Sequence, residues 1–201
     1  MKKSSFLFTV VVLLLTSCSK KIDSVVKDIV QQPAPAPTQE FVQYTINKGE
    51  QYCDKNGYQP VKYSQLSFKV KFDSSAIYKT ISPGNQQDIN KLFGFSDNNA
   101  QHHQFSARFG WRWSENALRL FAYTYNNSVV SVKELGTVKI DAEVNCSIKV
   151  NGDSYIFNLD EKSASMPRTS TTSAGEGYKL YPYFGGDELA PHTISIWIKE
   201  L

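Results

Sequence analysis

Between Phe105 and Tyr125 the chain reads FSARFGWRWSENALRLFAYTY, and its alternation leaves few ways to fold. Successive side chains of a strand point to opposite faces, so each half of this stretch divides by parity. Phe105, Ala107, Phe109, Trp111 and Trp113 share one face of a first strand. Leu118, Leu120, Ala122 and Thr124 share one face of a second. A two-residue turn at Glu115-Asn116 pairs Trp113 with Leu118, Trp111 with Leu120 and Phe109 with Ala122, which makes one face apolar throughout. A slip of one residue would mix the faces, so burial selects this register. The opposite face then carries Arg108, Arg112, Arg119, Phe121, Tyr123 and Tyr125, none of them needed for a core.

The same reading extends along the chain. Leu66, Phe68, Val70 and Phe72 alternate with Ser67, Lys69 and Lys71. Val138 to Val150 alternates over its whole length, with Cys146 at an inward position. Asn151-Gly152 is the strongest hairpin signal present. As the central residues of a turn they pair Ile148 with Tyr155, Cys146 with Phe157 and Val144 with Leu159. Ile194, Ile196 and Ile198 point inward on a last strand, with Trp197 outward. Tyr44–Lys48 is a short strand candidate, and Tyr178–Phe184 a tyrosine-rich strand or irregular edge, because Pro182 cannot donate to a ladder. Residues 88–92 read as a helical turn, residues 96–104 as a polar loop, and residues 163–177 as a loop. No segment shows a long apolar stripe at helical period. The fold class expected is all-β, an antiparallel sandwich or barrel with at most one or two short helical turns.

The amino-terminal part is of another kind. Lys2-Lys3 precedes a continuous apolar run, Phe6 to Leu15, shorter than the roughly 20 residues needed to cross a bilayer, as in a signal peptide. Leu15-Thr16-Ser17-Cys18 resembles the bacterial lipobox, which implies acylation of Cys18 and a firm lipid anchor. Residues 1–18 are therefore expected to be a signal segment. Residues 19–40, with QQPAPAPTQ, form a semi-rigid stalk, and residues 41–201 form one domain. The expected location is the bacterial envelope, at the outer membrane. Net charge is +3 and spread along the chain, with no basic run to suggest nucleic acid. Cys53 and Cys146 remain in a compartment that permits disulfides, bridged or free. Two cysteines without histidine at ligand spacing do not suggest a metal site. Asp97-Asn98-Asn99 and Asp187-Glu188 are acidic loops open to calcium or, more simply, to turn chemistry. No cofactor is expected.

VNCSIKVNGDSYIFNL and the terminal ISIWIKEL resemble the central hairpin and closing strand of concanavalin A-like jelly-roll domains, the lectin and glucanase sandwich superfamily. That resemblance implies an antiparallel β-sandwich of jelly-roll type. GFSDNN, ARFGWRWS, LRLFAYTYNN and GYKLYPYFGG resemble segments of lipoproteins of Bacteroidota, which adds no activity. Glucanases of the superfamily carry a Glu-x-Asp-x-x-Glu strand. Asp141-Ala142-Glu143 is a partial match without the third acid, and it shares its face with Lys139 and Lys149. Alginate-lyase sandwiches carry Gln-x-His and Tyr-x-Lys strands. Gln101-His102-His103 and Tyr178-Lys179 lack that alternation, and the histidines read as an exposed loop pair. Binding is the stronger expectation. Sugar rings stack on aromatics, and the planar arginine fork donates to carboxylates in a bidentate way. Arg108, Arg112, Arg119, Tyr123 and Tyr125 are the candidate ligand-binding residues, extended by Tyr181, Tyr183 and Trp197 if the last strands join the same sheet. The function expected is noncatalytic binding of a polysaccharide, an anionic one by preference. A structural module contacting partner envelope proteins and a divergent lyase or glycosidase are the alternatives.

Overall fold

The structure, a computed structural model, describes residues 40–201. Cys18, the signal segment and residues 19–39 of the stalk lie outside the described residues. The strands in chain order are β1 (Val42–Ile46), β2 (Pro60–Tyr63), β3 (Gln65–Phe72), β4 (Asn90–Ser96), β5 (Phe105–Ser114) and β6 (Ala117–Asn126). They continue with β7 (Val129–Val138), β8 (Val144–Asn151), β9 (Ser154–Leu159), β10 (Lys162–Pro167), β11 (Gly175–Leu180) and β12 (Ile194–Glu200). Short 3₁₀ turns at Ser74–Ala76 and Pro83–Gln87 are the helical pieces among the described residues. Two six-stranded antiparallel sheets face each other, in the orders β1-β12-β3-β8-β9-β10 and β2-β11-β4-β5-β6-β7.

Alternation builds the core between them. Phe68 and Phe72 from the first sheet meet Phe93, Phe109 and Trp111 from the second. Phe68 stands edge-on to Phe93 at 5.2 Å and to Phe109 at 5.5 Å, and Trp111 lies 5.4 Å from Phe72. The β5–β6 hairpin has the register that face chemistry demands, with Trp111 opposite Leu120 and Phe109 opposite Ala122. Glu115 and Asn116 take φ of 53° and 56°, the left-handed pair whose twist matches the flanking strands. Trp111 is fully buried, whereas Trp113, nearer the turn, is half-buried.

Several expectations are corrected. In the β8–β9 hairpin Ile148 pairs with Phe157, Cys146 with Leu159 and Val150 with Tyr155. The central turn residues are thus Gly152 and Asp153, with Gly152 at φ +58° in the first position, where a II′ turn needs glycine. The long alternating run from Val138 to Val150 is broken. At residues 139–143 the chain leaves β7 of one sheet for β8 of the other, turning at Asp141 with φ 63°. Asp141 and Glu143 therefore share no strand face, and Glu143 pairs with Lys69 at 3.4 Å. Residues 88–92 are not helical, since Asn90 already opens β4. Residues 163–177 are not a loop throughout, because β10 pairs along β9 from Lys162 to Pro167. Cys53 and Cys146 are both free and buried.

Candidate functional site

The outward face of the second sheet forms the floor of a cleft of about 500 Å³. Parity places Arg108 there. On β5 it sits between the buried Ala107 and Phe109, and it lies opposite Tyr123 on one side and Gly94 on the other. Glycine at 94 is a steric requirement, because a Cβ there would collide with Arg108 Cβ and with the Ala107 carbonyl. Tyr123 and Tyr125 follow on β6, Tyr178 on β11, and Tyr181 and Tyr183 on the irregular segment after β11.

The rings form a continuous arc. Tyr58 lies 5.6 Å from Tyr178, Tyr178 6.1 Å from His102, and His102 4.2 Å from His103. His103 lies 5.2 Å from Tyr125, which is 5.9 Å from Tyr123. The histidines come from the 97–104 loop, which several bonds pin in place. Ser106 Oγ donates to the His102 carbonyl at 2.7 Å, and the Asn99 N–H donates to the Glu176 carbonyl at 2.7 Å. His102 is therefore half-buried rather than an exposed loop residue. Its backbone N–H donates to Tyr178 Oη at 3.1 Å, and its Nδ1 is 2.8 Å from the same oxygen. Burial, with help from the charges of His103 and Arg108, pushes the imidazole down to about 4, so it is neutral at pH 7.

Charge is the other feature. Arg108 is only 8% exposed, yet it has no ion-pair partner among the described residues, and its Nε is buried without an acceptor. Burial pushes its guanidinium down to about 10, which still leaves it a cation at pH 7. Lys91 stands over the Tyr123 ring at 5.3 Å and donates to the Gly185 carbonyl at 3.1 Å. Burial and the neighbouring Arg108 push its ammonium down to about 8. No Asp or Glu lines the cleft among the described residues. Lys179 also lines it, but its Nζ is paired with Glu200.

The remaining candidates lie elsewhere. Arg112 reaches the Gln87 carbonyl at 2.7 Å and covers Phe121 at 5.0 Å. Arg119 is bracketed by Glu115 and Glu134, the latter at 2.9 Å. Arg119 is thus neutralised locally, and Arg112 is held by hydrogen bonds and ring contact away from the cleft. Trp197 is on β12 of the other sheet, where it stacks under Lys71 at 5.4 Å. Lys91, His102, His103, Tyr178, Tyr52 and Tyr58 line the cleft and were not among the sequence candidates. Only the His-His pair and the Tyr178-Lys179 pair left any trace in the sequence. Asp97 and Glu188, the acids weighed for calcium, have protein donors instead. Asp97 takes Arg168 at 2.7 Å, and Glu188 takes the Ser82 N–H at 2.7 Å.

No family model matches the sequence, and no curated protein matches it. Solved structures do. The alginate lyase AlyC3 aligns with a TM-score of 0.55 at 12% identity, over 81% of this chain and 74% of that one. The same lyase in complex with dimannuronate aligns with a TM-score of 0.50 at 10% identity, over 81% and 73%. A glycoside hydrolase family 16 endo-glucanase from Bacteroides ovatus gives 0.51 at 13% identity, over 83% and 84%. At such identities likeness speaks for the fold alone, and that fold is the concanavalin A-like jelly-roll sandwich.

Proposed function

We propose that the domain binds an acidic polysaccharide in the cleft above Arg108, held at the bacterial outer membrane through a lipid on Cys18. The observation that carries the binding reading is Arg108 itself. A buried cation without a counter-charge is unfavourable in a free protein, and a carboxylate brought by a ligand would relieve it. The tyrosine arc supplies flat apolar surface for sugar rings. With no Asp or Glu lining the cleft among the described residues, a cationic partner finds no counter-charge, and the unpaired Arg108 favours an anionic chain over a neutral one. Alginate is named for one of the similar structures, which makes a uronic-acid polymer a reasonable first ligand. Release of a Cys18→Ser variant from the membrane fraction checks the anchor.

Calorimetry on the purified protein tests the binding. Uronic-acid oligosaccharides are expected to bind, and neutral glucans of equal length to give no heat. The pH dependence has a definite sign. An anion favours the protonated Lys91, whose free-site value is about 8, so affinity should fall as pH rises through 8. Binding just above that pH should take up protons. Equal affinity for neutral and acidic chains, or affinity flat from pH 6 to about 9.5, would count against the reading.

One observation favours a second reading, elimination at a uronate. A neutral imidazole and a phenol 2.8 Å apart stand beside an unpaired cation. Such a cation would stabilise charge on the substrate carboxylate. One member of the pair would take the proton alpha to that carboxylate and the other protonate the departing glycosidic oxygen, a carbon–carbon double bond replacing the broken carbon–oxygen bond. Unsaturated uronate absorbance appearing on incubation with polymer would establish that activity. Binding without it would leave the domain noncatalytic.

A further inference from the structure

Two tyrosine pairs bracket the cationic part of the cleft. Tyr58 lies against Tyr178 at 5.6 Å, and Tyr52 lies against Tyr183 at 4.9 Å. In each pair one ring belongs to the second sheet or its continuation and is half-buried. The other comes from the segment between β1 and β2 and is largely in water, Tyr58 at 77% and Tyr52 at 65% exposed. Sheet register fixes where the pairs stand. The Tyr178 N–H donates to Ser96 Oγ, and Ser96 pairs with Ser106 on β5. Tyr183 bridges to Lys91, which pairs with Gly110 on β5. Arg108 is midway between Ser106 and Gly110. At about 3.4 Å per residue the two rows are roughly 14 Å apart, with the guanidinium between them. That distance exceeds the span of one sugar ring.

Exposed tyrosine rings gain little for folding, and two of them, placed at opposite ends of an unneutralised cationic floor, have faces free for stacking. We propose that Tyr58 with Tyr178, and Tyr52 with Tyr183, are stacking subsites on either side of the acidic residue held by Arg108. The cleft then takes an internal stretch of a linear acidic glycan, three or more residues long, in preference to a single uronate or a chain end. This rests on the binding reading above, and it adds length selectivity and two specificity residues, Tyr52 and Tyr58.

Titration calorimetry with mannuronate and galacturonate oligomers of one to five residues tests it. Wild-type affinity is expected to climb steeply to three or four residues and then level off. Tyr58→Ala and Tyr52→Ala should each weaken tetramer binding about tenfold, the scale of an interface tyrosine. Each should leave dimer binding within about twofold. The rows are far enough apart for the two losses to add, so the double variant should lose about a hundredfold. Tyr58→Trp should retain tetramer affinity. Equal losses at every length, or no loss with the tetramer, overturn the subsites while leaving the acid site standing. Affinity independent of length in the wild type does the same. Absence of binding by every oligomer, with circular dichroism showing the fold intact, overturns both proposals.

Discussion

Replacing Asp97 by alanine is expected to destabilise the domain by about 3–5 kcal/mol, because it leaves a buried guanidinium without its partner. Asp97 is fully buried just beyond β4, and the Arg168 side chain is 3% exposed. Arg168 Nε donates to Asp97 at 2.7 Å, and Nη2 donates to the Thr172 and Ala174 carbonyls at 2.7 and 3.0 Å. Asp97 also accepts from Tyr155 Oη, from Thr172 Oγ1 at 3.1 Å and from the Glu176 N–H at 3.1 Å. These contacts clamp the crossover from β10 to β11, and so the start of the loop that carries His102. Burial disfavours the Asp97 carboxylate, but the bonds from Arg168 and Tyr155 outweigh it and hold its pKa below the usual range. The sign follows. Its stabilisation is present above the unfolded value near 4 and is lost as pH falls through the lower folded value. Thermal unfolding at pH 7 should show a drop of roughly 10 °C for Asp97→Ala. An Asp97→Leu/Arg168→Met double variant should recover much of it, because both charges leave together. A single variant melting within a degree or two of wild type would show that the cluster holds nothing.

How much of this was legible in the sequence depends on whether a neighbour or a face did the selecting. The β5–β6 register was legible because a slip of one residue turns Trp111 and Leu120 out of the core, which burial forbids. The β8–β9 register was not, because the true pairing differs from the expected one by two residues. A shift of two keeps every inward side chain inward, so Cys146 meets an apolar partner either way. Turn geometry decides, and both Asn151-Gly152 and Gly152-Asp153 are good turn sequences. The 138–150 run misled for a related reason. Alternation persists across a crossover when both sheets bury against one core, and only the turn at Asp141 reveals the break. Parity correctly put Arg108, Arg112 and Arg119 on one face, but a face is not a site. Glu115 and Glu134, which neutralise Arg119, and the Gln87 carbonyl, which draws Arg112 aside, are set by turns and edges that periodicity does not describe. Tyr52, Tyr58 and the histidines reach the cleft from loops, and their positions depend on long-range bonds such as that from the Asn99 N–H to the Glu176 carbonyl.

Arg108→Leu should separate function from stability more sharply than any other substitution in the cleft. The guanidinium is held at a cost. Burial pushes it down from the ordinary arginine range to about 10, which corresponds to roughly 3 kcal/mol against the charged form at about 1.36 kcal/mol per unit. Leucine keeps apolar bulk against Tyr123 and Tyr125 and removes the unpaired charge, so the variant should be more stable than wild type by about 1–3 kcal/mol. Removing the neighbouring charge should also let the Lys91 ammonium rise from its depressed value. Binding should move the other way. Truncating a buried partner of a charge pair costs about 2 kcal/mol or more, so affinity for uronate oligomers should fall at least thirtyfold. Arg108→Lys should recover part of that affinity, since a point charge remains without the bidentate fork. Unfolding in denaturant and titration with a mannuronate tetramer read the two effects separately. A variant that loses stability, or one that gains it while binding as well as wild type, would show that Arg108 serves the fold and not a ligand. Stability gained while affinity is lost is the signature expected of a residue retained for what it binds.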